Sequence, residues 1–250
     1  MTRLSVNVNK IATLRNTRTI GIPSLARLSE LALRAGAHGI TVHPRPDQRH
    51  IRGEDVEELA AVVARFPSAE YNIEGNPFHG LLEHCARTRP TQATLVPDAR
   101  EAFTSNHGWN LVELGAVERQ ALGRAIEALH ASGCRVSLFM DPVPEMMSLA
   151  RKLGANRVEL YTEPYAAAAA AGRAAASLES YAAAGKAARE QGLGVNAGHD
   201  LNLDNLRAFL QGVRGVDEVS IGHALIADAL EFGLTETVRR YLVECGSGLA

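Results

Sequence analysis

Two hydrophobic periods take turns along this chain. Short runs alternate apolar and polar side chains or stay apolar throughout, as strands do. Between them lie longer stretches with apolar residues three and four apart, as in amphipathic helices. The strand-like runs are Leu4–Asn9, Gly39–His43, Tyr71–Glu74, Ala93–Pro97, Arg135–Met140, Arg157–Tyr161, Gly194–Ala197 and Glu218–Ile221. Helical spacing is found near Pro23–Ala35, where Ser24 can cap and Leu25, Leu28, Leu31 and Leu33 supply apolar positions. It recurs over Glu54–Phe66 (Val56, Leu59, Val62, Val63), His79–Arg87, Val117–Ser132, Pro144–Leu153, Leu203–Gln211 and Ala224–Val243. A polar loop spans Asp98–Trp109.

These are eight strand–helix units. Strict alternation predicts parallel strands joined by right-handed crossovers, and eight such units most simply close into a (β/α)8 TIM barrel, an α/β fold. An open doubly wound sheet is the alternative, but neither GxGxxG nor GxxxxGK[ST] follows the first strand. Residues 164–190 are Ala-rich and predict an extra helical segment. Its sparse large apolar residues make it a weak core element, there either to pack on another subunit or through compositional bias.

The chain has 250 residues, the usual size of one such barrel, and residues 1–250 read as a single domain. Hydrophobic residues make up 46%, enough for one large core. A net charge of −2 gives no basic excess for a nucleic-acid partner, so an anionic ligand must be held by local groups. Cys85, Cys134 and Cys245 form no CxxC pair and no disulfide framework. There is no signal-peptide pattern and no apolar run of membrane-spanning length. A soluble cytoplasmic protein is expected.

Polar groups gather where strands end, the place where barrel enzymes build their sites. Asn7, Asn9 and Lys10 follow the first strand; His43, Arg45 and His50 the second; Asn72 and Glu74 the third; Asn196 and His199 the seventh; Ser220, Gly222 and His223 the eighth. Any one of these has an ordinary structural use, but convergence from five strand ends is a different matter. His titrates near neutrality, and a carboxyl in a closed barrel mouth can act as a base, so the set suits proton transfer. The Gly-His pairs after the seventh and eighth strands suit close approach of a phosphate, and Arg18, Arg45 and His50 suit a second anionic group. No HExxH or other short chelating pattern supports a metal site. The residues alone leave open another phosphate-binding barrel, such as an isomerase or aldolase, and a non-catalytic scaffold.

The motifs VNVNKIATLRNTR, GITVHPRPDQRHI, YNIEG, TLVPDAREAFTSNHGW, VSLFMDP, ELYTEPYA, VNAGHDLNLDN and SIGHALIADAL occur in order from Leu4 to about Leu230. Together they resemble the pyridoxine 5′-phosphate synthase family. The resemblance implies a barrel that condenses 3-amino-2-oxopropyl phosphate with 1-deoxy-D-xylulose 5-phosphate. It needs neither metal nor organic cofactor and assembles as a homo-octamer of dimers. It further implies His43 and Glu74 as proton acceptors and His199 as proton donor. Arg45, His50 and Thr104 would contact the deoxyxylulose phosphate; Asn7, Arg18, Asp200, Gly222 and His223 would contact the amino ketone phosphate. Asn9-Lys10 stands where many members have Asp-His, and Asp200 where some have Gly. Lys10 then binds a phosphate, points away from the lumen, or forms a Schiff base.

Overall fold

Inward and outward side chains alternate on every strand, and this alternation defines the architecture. The computed structural model describes residues 1–99 and 104–247. Eight parallel strands pair in sequence order and close: β1 Arg3–Asn7, β2 Gly39–Val42, β3 Glu70–Gly75, β4 Gln92–Leu95, β5 Arg135–Met140, β6 Arg157–Leu160, β7 Gly194–Ala197 and β8 Glu218–Ile221, with β8 bonded back to β1. The TIM-barrel expectation holds.

The helices form the outer ring: α1 Asn9–Asn16, α2 Leu25–Arg34, α3 Gly53–Ala64, α4 Leu82–Thr88, α5 Ala116–Ala131, α6 Met147–Lys152, α7 Glu163–Ala170, α8 Ala174–Glu190, α9 Leu206–Gly212, α10 His223–Phe232 and α11 Leu234–Glu244. Leu4 and Val6, Ile40 and Val42, Val158 and Leu160, and their counterparts on the other strands face outward into a continuous buried core beneath this ring. Ser24 caps α2 by accepting the Arg27 N–H at 3.2 Å, as its sequence position implied.

Four expectations change. The first strand ends at Asn7, and Asn9 opens helix α1, which the hydrophobic pattern did not announce because its apolar positions are few. The helix expected over His79–Arg87 is broken: His79 and Gly80 have non-helical dihedrals, and α4 starts at Leu82. The expected Ala224–Val243 helix is two helices, broken at Gly233 with φ +76. The Ala-rich segment is two helices, α7 and α8, as the composition allowed. It is not weakly anchored, because Tyr165 and Tyr181 are fully buried and meet Phe209, tilted at 5.1 Å and edge-on at 5.5 Å between ring centres. Their hydroxyls donate to the carbonyls of Asn205 (3.0 Å) and Tyr161 (2.8 Å).

The lumen departs from the branched aliphatic filling usual in this fold. Ser5, Thr41, Asn72, Thr94, Ser137, Glu159, Asn196 and Ser220 are all buried there, one from each strand. Ser5 and Thr41 share a 2.7 Å hydrogen bond, and Thr94 donates to Asn72 at 3.1 Å. At the N-terminal end, Glu70 bridges Arg3 (3.1 Å) and Arg135, and Arg135 Nε donates to Gln92 at 2.9 Å. At the other end Gly198 lies against β8; a Cβ there would fall 2.2 Å from the Ser220 carbonyl oxygen.

The aromatic cluster carries the outer packing of α7, α8 and α9. Phe209→Ala should therefore lower unfolding stability by about 3–5 kcal/mol, measured by denaturant unfolding. A loss below about 1 kcal/mol would mean that the cluster is not a core element.

Candidate active site

The strand ends converge on one cavity of about 510 Å³ at the C-terminal mouth of the barrel. Asn7, Asn9, Lys10, His43, Arg45, His50, Glu74, Thr104, His199, Asp200, Gly222 and His223 all line it. Of the residues singled out from the sequence, Asn72 and Asn196 lie buried deeper in the lumen and do not line it, and Arg18 is exposed beyond the C-terminal end of α1. Lys10 sits exposed at the rim and lines the cavity, so it does not point away from it.

Glu74, on β3, is held between β1 and β2. Asn7 Nδ2 donates to its Oε2 at 3.4 Å, and His43 Nδ1 lies 3.8 Å from the same oxygen. Burial, reinforced by the nearby Asp98 carboxylate, pushes the Glu74 pKa up to about 8. Burial, with Arg45, His50 and Arg49 adding like charge, drives His43 well below its ordinary value. At neutral pH this pair is therefore mostly a neutral imidazole beside a carboxylic acid rather than an ion pair. The backbone before the His43 ring is fixed too: its N–H donates to Asn9 Oδ1 at 2.9 Å, while the Asn9 N–H donates to Asn7 Oδ1 at 3.1 Å.

His50 is lowered to about 4, first by burial and then by Arg45, Lys10 and Arg49. Its Nδ1 accepts the Ile51 N–H at 2.9 Å, which leaves the ring proton on Nε2. Arg45 is buried and bonded to Asp98 Oδ2 at 2.6 Å; Ser105 Oγ donates to the same oxygen at 2.7 Å. Asp98 thus ties the loop after β2 to the loop after β4.

On the opposite wall His199 follows β7. Its Nδ1 lies 3.0 Å from Asp200 Oδ2 and its Nε2 3.2 Å from Thr104 Oγ1. The carboxylate accepts from Nδ1, and the hydrogen bond from His199 holds the Asp200 pKa down. Asp200 achieves this from a left-handed backbone, φ +64, that favours glycine. Thr162 Oγ1 donates to the His199 carbonyl at 2.6 Å, and the Tyr161 ring meets the imidazole edge-on at 5.4 Å. Next to it, Gly222 precedes the first turn of α10, which begins with His223. A Cβ at Gly222 would lie 3.2 Å from the Asn7 side chain.

Glu159 was not foreseen. It lies on β6, is 4% exposed, lines the cavity, and has its Oε2 3.5 Å from Thr94 Oγ1. Burial first, then Glu74 and Glu218, raise its pKa well above the carboxylate range. The signal for it was alternation within ELYTEPYA, which puts Glu159 and Tyr161 on one face; attention to strand ends passed over it. Ser105, Phe139 and Arg49 also line the cavity without having been singled out as binding groups. Among the described residues, no group of three or more His, Cys, Asp and Glu side chains is arranged to hold a metal ion.

Acid–base groups converging on the C-terminal mouth of a closed parallel barrel define an enzyme of the TIM-barrel class. Solved structures agree on the frame alone: a thiamine phosphate pyrophosphorylase from Pyrococcus furiosus superposes with TM-score 0.61 at 13% identity, covering 98% of this chain and 95% of that one. A 3-hexulose-6-phosphate synthase superposes with TM-score 0.61 at 15% identity, covering 95% and 98%. Sequence goes further. The chain belongs to the PdxJ family, whose description is pyridoxal phosphate biosynthesis protein PdxJ and whose family model matches residues 4–246. It is 54% identical over 246 residues to the pyridoxine 5′-phosphate synthase of Albidiferax ferrireducens, covering 96% of each chain. It is 52% identical over 241 residues to the enzyme of that name from Porphyromonas gingivalis, covering 96% of this chain and 98% of the other.

The Asp98 carboxylate disfavours ionisation of Glu74, so Asp98→Asn should lower the Glu74 pKa. Followed by carboxyl ¹³C NMR, the Glu74 signal should titrate at lower pH in Asp98→Asn than in the unsubstituted protein. An unmoved titration would assign the raised pKa to burial and Glu218 without Asp98.

Proposed function

We propose that this cavity joins 3-amino-2-oxopropyl phosphate to 1-deoxy-D-xylulose 5-phosphate, releasing pyridoxine 5′-phosphate, inorganic phosphate and water. The observation that carries this reading is the convergence of His43, Glu74 and His199 on one cavity large enough for two small phosphorylated substrates. Family membership, with relatives of that activity identical at about half of all positions, supports it.

The reaction is a series of proton movements. The substrate amine attacks the other substrate's ketone to give an imine. Loss of a carbon-bound proton gives an enamine, phosphate leaves, water adds, and an aldol-type closure with dehydration completes the aromatic ring. Glu74 serves as the carbon base: with a pKa near 8, roughly a tenth is ionised at pH 7, and the base is stronger than an ordinary carboxylate. Neutral His43 accepts the proton that the amine loses as it attacks and returns it to the former carbonyl oxygen, which leaves as water. His199 protonates the departing phosphate, with Asp200 orienting its Nδ1 and stabilising the imidazolium. Glu159, kept protonated by burial, is a hydrogen-bond donor at the cavity floor.

Arg45, His50 and Thr104 hold the deoxyxylulose phosphate. Asn7, Asp200, Gly222 and His223 hold the amino ketone phosphate, with backbone N–H groups at the start of α10 facing the anion. Asn9 positions His43, and Lys10 contacts a phosphate, a reading that its exposure at the rim supports because a Schiff-base amine is a desolvated one. Arg18 belongs to this set by family motif and lies outside the cavity of a single chain. No organic cofactor or metal enters the scheme.

The same reading takes residues 1–250 as one barrel domain, the enzyme as a cytoplasmic homo-octamer of dimers, and neither nucleic acid nor membrane as a partner. Ile20, Ile22, Val117 and Leu230, all well exposed on one chain, supply apolar surface for subunit contacts. Among the described residues no helix is long and apolar enough to cross a membrane.

With both phosphates supplied, the protein should generate the pyridoxine 5′-phosphate chromophore. His199→Ala should slow it by roughly 10²–10⁴-fold, the usual contribution of one general acid. Folded protein that forms no product, or turns over one sugar phosphate alone, would overturn the assignment. Borohydride should trap no adduct on Lys10.

A further inference from the structure

Helix α1 meets the cavity wall at both ends. At its start, Asn9 Oδ1 accepts the His43 N–H. At its end, Asn16 Nδ2 donates to the carbonyls of His50 (2.8 Å) and Arg49 (3.1 Å), and Arg15 Nη2 donates to the same His50 carbonyl at 3.2 Å. The Arg15 guanidinium is itself locked. It grips both carboxylate oxygens of Asp55, with Nη2 to Oδ2 at 2.8 Å, and its Nε and Nη2 donate to Asn16 Oδ1 at 3.1 and 3.0 Å. The last two contacts orient the Asn16 amide, so its NH₂ faces the two carbonyls. Asp55 Oδ2 also accepts the Arg52 N–H at 2.7 Å, closing the start of α3. Arg15 and Asp55 are both buried.

The segment held in this way is irregular. Residues 44–52 have no helix or strand to fix them, and Gln48 has a left-handed φ of +54. Yet this segment presents Arg49 and His50 to the cavity. His50 is a neutral ring with its proton on Nε2, so it offers the cavity a directed N–H, whose strength toward an acceptor depends on where the backbone puts it. Arg15, Asn16 and Asp55 do not line the cavity.

We propose that Arg15 and Asn16 are positioning residues for the β2–α3 loop, setting the affinity of the His50 and Arg49 side of the cavity for the phosphate of the deoxyxylulose substrate. This rests on the assignment of that side to that substrate. The two residues act through backbone carbonyls and leave the proton-transfer groups where they are. A fault in the clamp thus weakens one substrate and spares the chemical step.

Asn16→Ala tests this while leaving the Arg15–Asp55 pair intact. Calorimetric binding of 1-deoxy-D-xylulose 5-phosphate should weaken roughly tenfold, the scale of one or two net hydrogen bonds. In turnover its KM should rise alike, with kcat and the KM for the amino ketone phosphate within about twofold. Arg15→Lys, which keeps the charge on Asp55 but loses the fork, should show the same selectivity more weakly. Unchanged binding, or equal weakening for both substrates alongside a lower Tm, would overturn the proposal and leave the clamp a general support of the fold. Binding needs no turnover. An unsubstituted protein that binds the deoxyxylulose phosphate without making product would count against the proposed reaction, and the clamp would still be judged by Asn16→Ala. One that does not bind it at all would sink both.

Discussion

Everything at the mouth of this barrel depends on the outward faces of its strands. Leu4 and Val6, Ile40 and Val42, Tyr71 and Ile73, and the matching pairs on the other strands bury against the helical ring, and this continuous core drives closure. With closure secured from outside, the inner face need not be aliphatic. The chain fills it with hydroxyls, amides and carboxyls, each of which is costly to bury unless hydrogen-bonded. The Ser5–Thr41 and Thr94–Asn72 bonds and the Arg3–Glu70–Arg135 bridge are the compensation.

Depth in this polar lumen then sorts the ionisable groups. Where water is excluded, the neutral forms are favoured, and His43, Glu74 and Glu159 shift in opposite directions toward the same uncharged state. Nearer the rim, Asp200 keeps its carboxylate against His199, and Arg45 is matched by Asp98. Neutral groups, with only Glu74 among them brought near neutrality at about 8, therefore lie toward the strands, and charged groups suited to anions lie in the loops. A substrate with a reactive carbonyl and a phosphate tail fits that order.

Much of this was legible in the sequence, because strand periodicity is local. Alternation puts Asn72 and Glu74 on one face, and the break after each strand marks His43 and His199 as mouth residues. What was hidden depends on contacts between distant segments. Helix α1 has little apolar periodicity; its end is held by Arg15 gripping Asp55, forty positions along the chain. Asp98 looked like a loop residue until Arg45 and Ser105 were found on one of its oxygens. Glu159 sits one alternation inside its strand end, where a carboxyl is unexpected unless the lumen is polar throughout. The buried tyrosines of the Ala-rich segment were visible as letters, but their weight comes from Phe209 on another helix.

The first strand's end shows how a neutral side chain can hold a reactive group in place. Asn9 gives the backbone an oxygen that accepts the His43 N–H. It puts no negative charge beside the imidazole. A carboxylate there would favour imidazolium, whereas the amide leaves burial and the Arg45, His50 and Arg49 side to hold His43 neutral. Lys10 adds a fixed cation whose field helps keep His50 neutral and Asp200 ionised. Asn9 and Lys10 together leave one positive charge at the rim, while Asn9 fixes the backbone at His43. The pair is therefore coherent: an imidazole kept neutral, beside a rim cation suited to phosphate.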